Sequence, residues 1–379
     1  MLRKQIQQAK FNKHQLQSAR KAKAWTMTRL ADEVNLTRQA ISQYEKGDAN
    51  PSPEKLRDIA SKLEQPLQYF TWNKKVEKQS PATFRSLASS AGRAREQAEV
   101  WIGIFATVVS VMQENVNLPK VSIPSFEIPD FTRLSYTDID YMAIEARKFF
   151  GLGNGPISNL TLLLENHGIL ISFKKLNKNL SGLSQWYDGR PFILVDRIKS
   201  ASRTRFSIAH ELGHILLHQQ LSSDSEILDK KIFKQIEDQA NYFASSFMLP
   251  ESALSNEVYG IDWESMVALK ERWKMSIGAM AMRLNQVRII SDSQKIRIFR
   301  ELSSRNARIH EPLDSSIRQD EPRLVRKVAE LLDSEKVLTT SNIPDAMPIN
   351  VDLMAELTQI PKEQLLPQPH YGNVISIIR

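Results

Sequence analysis

The chain has 379 residues, 41% of them hydrophobic and 25% charged, with no cysteine and a formal net charge of +8. That length and apolar content suit two or three globular domains and exclude a disordered chain. The missing cysteines exclude a disulfide scaffold, a Cys-ligated zinc finger, an iron–sulfur centre and a thiol nucleophile, so a transition-metal site here has to be built from His and carboxylates.

Residues 1–80 hold 16 Lys and Arg against 8 Asp and Glu, while the remainder holds 35 of each sign. All of the excess charge therefore lies in the first fifth of the chain. This predicts a basic head over 1–80 that binds double-stranded DNA, joined to a neutral body; a merely solvated basic face is the competing reading. Residues 1–13 are polar and basic and lack the apolar core of a secretory signal. Within the head, 26–34 reads as a short amphipathic helix, Asn35 as a left-handed turn, and 37–46 as a second helix with Thr37 at its N-cap and Gly47 at its end. With Leu30-Ala31, Thr37-Arg38-Gln39-Ala40-Ile41-Ser42, Glu45, Gly47 and the Leu56, Ile59, Ala60, Leu63 set, residues 12–70 resemble the Xre/Cro-type helix-turn-helix. The resemblance implies that Ala31 and Ile41 pack together and that Arg20 and Glu45 form a buried pair. It leaves Arg38, Gln39 and Gln43 exposed at the start of the recognition helix, where Arg can fork onto guanine and Gln onto adenine. Paired half-sites would make the protein a homodimer. Met27 stands where such heads usually carry a phosphate-contacting Gln. That departure counts against a strong operator reader, and a head used for protein contact stays open.

Residues 81–135 read as a connector, helical over 82–113 and then extended through Pro119, Pro124 and Pro129 as a semi-rigid linker. Its apolar run at 100–112 is too short for the roughly 20 residues of a membrane span and reads as a buried or dimer-forming helix. No membrane partner and a cytoplasmic location are expected. Phe84-Arg85-Ser86-Leu87 opens this connector with no chemistry of its own. A helix follows at 135–150, stopped by Gly151, and another at 156–167, with Gly168 just past its end. Short β-rich runs at 169–173, 182–187 and 192–195 precede two long helical segments at 201–219 and 230–249. Beyond Pro250 the chain reads as Pro-broken helices. The pattern predicts a multidomain protein: an all-α head, an α+β domain at 136–290 and a helical C-terminal region at 291–379.

His210-Glu211-Leu212-Gly213-His214 places two imidazoles one turn apart on one helix face, within reach of a single zinc ion. Glu211 projects about 100° away, beside the ion, where a carboxylate can take a proton from a polarised water and pass it to the leaving amine. With seven His in the chain, the motif can also arise by chance from ordinary helix residues. A zinc peptidase keeps three protein ligands and an open position, so a third ligand is needed. His218 continues the stripe but lies about 12 Å along the axis from His210. The metzincin pattern would need Gly and His where this chain has Leu217 and Gln220, so His218 reads as a packing or supporting residue. In the next helix Ile232, Phe233, Ile236, Ala240, Phe243, Ala244 and Phe247 define a buried face. Glu237 falls on its flank and Asp238 toward solvent. A carboxylate on that flank needs a partner to offset its desolvation: a metal, which makes Glu237 the third ligand, or an Arg or Lys.

Arg205-Phe206-Ser207-Ile208-Ala209 ahead of the motif, Ile215-Leu216-Leu217-His218 behind it, Glu237-Asp238-Gln239-Ala240-Asn241 and Met248-Leu249-Pro250 together resemble the ImmA/IrrE zinc metallopeptidases. The resemblance covers about residues 136–250, including the strand pair at 182–196. It implies a zincin-like domain, Zn2+ held by His210, His214 and Glu237, and Glu211 as the catalytic residue. The usual substrate it implies is a helix-turn-helix repressor. Asn241, one turn past Glu237, reads as a support for the site or as a plain surface residue. Three functions compete. The first is a zinc endopeptidase with a DNA-binding head, a protease-regulator that cuts a repressor-type protein to switch transcription. The second is a transcription regulator whose zinc domain is a sensor or scaffold, and the third is a peptidase that cuts its own head or the 114–134 stretch. Strand 182–187 or 192–195 is the expected place for an extended substrate to pair.

Overall fold

The computed structural model describes residues 10–73, 78, 90–177, 180–197, 199–219 and 230–367; Phe84-Arg85-Ser86-Leu87 and the start of the 82–113 segment lie outside them. The head consists of α1 (Lys13–Ala22), α2 (Met27–Glu33), α3 (Arg38–Lys46) and α4 (Pro53–Lys62), followed by a 3-10 turn at Leu67–Thr71. Asn12, Thr26, Thr37 and Ser52 each cap a helix through the side chain, which satisfies N–H groups that the first turn leaves unpaired. Asn35 and Gly47 take the left-handed conformation, at φ 51° and 83°, and so turn the chain out of α2 and α3. Leu16, Leu30, Ile41, Ile59 and Phe70 are fully buried between these helices. Arg20 forks onto Glu45, Nε to Oε1 at 2.5 Å and Nη2 to Oε2 at 2.8 Å, as the resemblance implies.

Beyond the head come α5 (Ser90–Met112), α6 (Tyr136–Phe149) and α7 (Leu160–Asn166). A Ser135–Asp138 capping box starts α6 and Gly151, at φ 66°, lets the chain leave it. Helix α7 begins later than the sequence pattern predicts. Asn159 caps it and the Leu160 N–H donates to Asp320, so residues 156–159 stay outside the helix. Strands β1 (Leu170–Lys174), β2 (Gly182–Tyr187) and β3 (Arg190–Asp196) follow, in the order β1-β3-β2, with β1 parallel and β2 antiparallel to β3. The β2–β3 hairpin closes on Asp188 and Gly189, both at positive φ, which matches the twist of the strands. Because β3 is central, only β2 of the two candidate substrate strands lies at an edge, and at Tyr187 that edge bridges to Lys78. Then come α8 (Ala201–Leu217), α9 (Lys230–Met248), α10 (Glu251–Glu257), α11 (Trp263–Trp273), α12 (Ile277–Gln286) and α13 (Asp292–Ser304). The last helices are α14 (Leu324–Ser334), α15 (Ile343–Ala346), α16 (Val351–Thr358) and α17 (Lys362–Leu365). The chain is thus a helical head, a mixed α+β region around a three-stranded sheet, and a helical C-terminal region. Among the described residues no helix is long and apolar enough to cross a membrane.

Two compact units emerge, each drawing on more than one stretch of chain. The first takes the described parts of Met1–Lys75, Ile104–Asn117 and Arg323–Arg379, and the second those of Val76–Gly103 and Leu118–Pro322. In the first, the Asn350 N–H donates to Gln65 Oε1 at 3.0 Å and its side chain to the Glu64 carbonyl at 2.9 Å, which ties the start of α16 to the head. In the second, one apolar core runs from Ile128 through α6, β1, α8 and α9 to Leu302. Lys270, fully buried, pairs with Glu311 at 2.8 Å and Asp314 at 2.6 Å and so holds the segment after α13 in this unit. The Pro-spaced stretch is docked here too. Ser122 N–H donates to the His167 carbonyl at 3.0 Å, and Arg190 Nη1 donates to the Pro119 carbonyl at 2.9 Å.

Candidate metal centre

Helix α8 is buried on most of its circumference, with α9 and β2 packed against it. Gly213, inside the HExxH motif, is what lets α9 come close: a Cβ there would lie 3.2 Å from the Ala240 Cα and carbonyl oxygen. The close approach brings Glu237 of α9 over His210 and His214 of α8, and each of the three offers a ligand atom within 4.8 Å of the others. The two Nε2 atoms are 3.0 Å apart, and Glu237 reaches them at 3.4 Å (Oε2 to His210) and 3.6 Å (Oε1 to His214). Ligands at about 2.0–2.1 Å from a tetrahedral zinc stand about 3.3–3.4 Å apart, so these separations bracket the edge such an ion requires. Among the described residues no Lys or Arg pairs with Glu237, which is half-buried and has the two imidazoles as its partners. Asp238 is exposed, as its helical position predicts.

The electrostatics of the pocket favour positive charge. Burial would lower the His210 imidazole, yet the facing Glu237 and Glu211 carboxylates outweigh it and raise the group above its ordinary value. Burial would raise the Glu237 carboxyl, but the two imidazoles reverse the sign and hold it well below the usual carboxylate range. His218, buried beside His214, is pushed down to about 3, chiefly by desolvation, and is a neutral imidazole.

Glu211 stands apart from the ligand trio. It is buried, and Ser184 Oγ–H of β2 donates to its Oε2 at 2.8 Å. A Cβ on Gly182 would come within 2.8 Å of Oε1, so the first residue of β2 has to be side-chain-free for the carboxylate to sit where it does. Residues 164–285, which contain all four of these side chains, match the peptidase family described as the IrrE N-terminal-like domain.

The site lies in the segment similar to the IrrE N-terminal-like domain.

Residues 16–70 match the helix-turn-helix family, so the head precedes the IrrE-type domain in the chain. No curated protein matches. Among solved structures a Mycobacterium tuberculosis transcriptional regulator is similar at 21% identity and a TM-score of 0.31, with 39% of this chain and 46% of that chain covered. The chain therefore spans less than half of that protein's length. On the head, the structure leaves Arg38, Gln39 and Gln43 exposed along α3, while Ile41 turns inward against the core with Ala31. The helix-turn-helix match supports DNA binding by this segment.

Around the trio lies a layer of contacts in which Asn241 and His218 take the supporting places offered for them in the sequence, and Gln239 joins them. His210 Nδ1 meets Asn241 Oδ1 at 2.9 Å, His214 Nδ1 meets His218 Nδ1 at 3.1 Å, and His218 Nε2 meets Gln239 Oε1 at 2.9 Å. Ser184, Gly182 and Gln239 are the functional neighbours missed in the sequence. The available signal was the period of two in β2, which sets 182, 184 and 186 on one face.

Proposed function

We propose that the chain is a zinc-dependent endopeptidase with a DNA-binding head, which cleaves a repressor-type protein and thereby switches transcription. The coarser part of this reading, a transcription regulator, fits a helix-turn-helix segment followed by an IrrE-type peptidase domain. The finer part rests on one observation: two imidazoles and a carboxylate converge with no protein cation among the described residues, while a further carboxylate stands beside them. A purely structural zinc site needs ligands but no base, and Glu211 has no ligand role to explain it. His210, His214 and Glu237 would hold the ion, which supplies Lewis acidity for amide hydrolysis when bound. Glu211 would hold and move a proton at its carboxylate oxygens, oriented by Ser184. Arg38, Gln39 and Gln43 would read base edges in the major groove.

Metal analysis of the wild type beside Glu237→Ala, with incubation of candidate helix-turn-helix repressors with and without chelator, tests the reading. Zinc is expected at one per chain in the wild type and in Glu211→Gln, and lost in Glu237→Ala. Cleavage is expected only in the zinc-loaded wild type. Equal cleavage by Glu211→Gln removes the base, and stoichiometric zinc without any cleavage leaves the sensor or scaffold reading in its place.

A further inference from the structure

A metal ligand imidazole has to present a lone pair, and which nitrogen presents it is decided by what the other nitrogen does. At His214 that decision can be traced to a fixed end. The backbone carbonyl of Phe131 has no proton to give, so Gln239 Nε2–H donates to it, at 2.7 Å. The orientation of the Gln239 amide is thereby set, and its Oε1 is turned to His218 Nε2 at 2.9 Å. An amide oxygen only accepts, so His218 carries its proton on Nε2 and leaves a lone pair on Nδ1. That lone pair faces His214 Nδ1 at 3.1 Å, so His214 carries its own proton there and its Nε2 is bare. On the other imidazole, Asn241 Oδ1 takes the Nδ1–H of His210 at 2.9 Å and bares its Nε2 in the same way.

We propose that the Phe131 carbonyl, Gln239 and His218 form a positioning relay that fixes His214 in the tautomer able to bind metal. The relay rests on the metal-centre reading above and adds residues outside the ligand set. Its outcome, with both imidazoles neutral, is three acceptors pointed at one another: two Nε2 atoms 3.0 Å apart and the Glu237 carboxylate. Only a cation satisfies such a set. The fixed end is itself well held. The 3-10 turn at Phe131–Arg133 is capped by Asp130, whose Oδ1 accepts from Thr132 N–H at 2.9 Å. One turn before Gln239, Gln235 Nε2 donates to the Thr132 carbonyl at 2.7 Å. The Phe131 ring packs on buried Ile236 and meets the His218 ring edge-on, centroids 5.9 Å apart. The end of the Pro-spaced stretch thus decides the polarity of the chain of hydrogen bonds that reaches the metal ligand.

The test uses full-length protein labelled with 15N at histidine, metal-free and at alkaline pH, together with zinc titration against a competing chelator. Expected in the wild type are Nδ1–H signals for His210 and His214, an Nε2–H signal for His218, and a through-hydrogen-bond coupling between His214 Nδ1 and His218 Nδ1. In His218→Phe, which keeps ring volume and loses the acceptor, the His214 tautomers should mix and the zinc dissociation constant should rise about 10–100-fold. His218→Asn keeps an acceptor where Nδ1 sits and should stay close to wild type in affinity. Gln239→Leu, which leaves every histidine in place, is the second variant and should release the His218 tautomer. An Nε2–H proton on His214 in the wild type, or unchanged zinc affinity in His218→Phe and Gln239→Leu, overturns the relay. A wild type that takes up no zinc overturns the metal centre itself, a result the variants cannot mimic.

Discussion

Glu211 accepts from Ser184 and lies against the bare Cα of Gly182, so two side chains of β2, one polar and one missing, set where its carboxylate points. Neither touches the ligand trio, which gives a clean separation of chemistry from metal binding. Ser184→Ala should lower cleavage about 10–100-fold, the worth of a hydrogen bond to a charged group, with zinc content unchanged. Gly182→Ala should act in the same direction by forcing a Cβ to within 2.8 Å of Oε1. Progress curves beside zinc analysis read both, and a loss of zinc in either variant would mean that Glu211 and the trio are not separable. The convergence of His210, His214 and Glu237 was legible in the sequence because helical period turns spacing into direction. His210 and His214 share a face, and Glu237 falls on a computable flank of α9. Ser184 and Gly182 were not legible because their meeting with Glu211 joins a strand to a helix, and no local period encodes that pairing. Gln239 was hidden for a related reason. Its position on α9 reads as ordinary core, and only the docking of Phe131 from far upstream gives its amide a purpose.

At the scale of elements, the helices and strands follow their local signals closely where caps and glycines are intrinsic to the sequence. Ser135 with Asp138, Thr37 and Gly47 are of this kind. The start of α7 departs because the Leu160 N–H is satisfied by Asp320, a partner 160 residues away. The Pro-spaced stretch likewise reads as an open spacer, since prolines report backbone stiffness and say nothing about what the backbone lies on. Its docking within the second unit makes it a poorer target for self-cleavage than a free spacer would be. Gly168 tests that docking. It has φ 82°, and a Cβ there would lie 2.7 Å from the Lys120 carbonyl oxygen, a backbone atom that cannot rotate away. Gly168→Ala should cost about 1–2 kcal/mol for the left-handed conformation alone, and more for the collision with Lys120. Calorimetry of the full chain should show the melting temperature fall; an unchanged melt would mean that residues 118–124 are not held there.

At the scale of the molecule, charge was the first guide. The +8 carried by residues 1–80 should make DNA affinity fall steeply with salt, whatever the sequence bound. Arg38→Ala, at an exposed α3 position, should in addition remove about 1–3 kcal/mol of preference for the cognate base. Fluorescence anisotropy against selected and scrambled duplexes separates the two effects, and an Arg38→Ala loss equal on both duplexes would make it a phosphate contact instead. The grouping of residues 323–367 with the head was invisible to composition, because a helical C-terminal tail carries no mark of the surface on which it packs. The Asn350 contacts with Glu64 and Gln65 that define this grouping have a consequence in time. While the protein is being made, the ribosome delivers the whole second unit, which ends at Pro322, before it delivers residue 350. A nascent chain thus carries the converging His210, His214 and Glu237 side chains before it carries the segment that packs on Glu64 and Gln65, and a stall late in translation would release the one without the other.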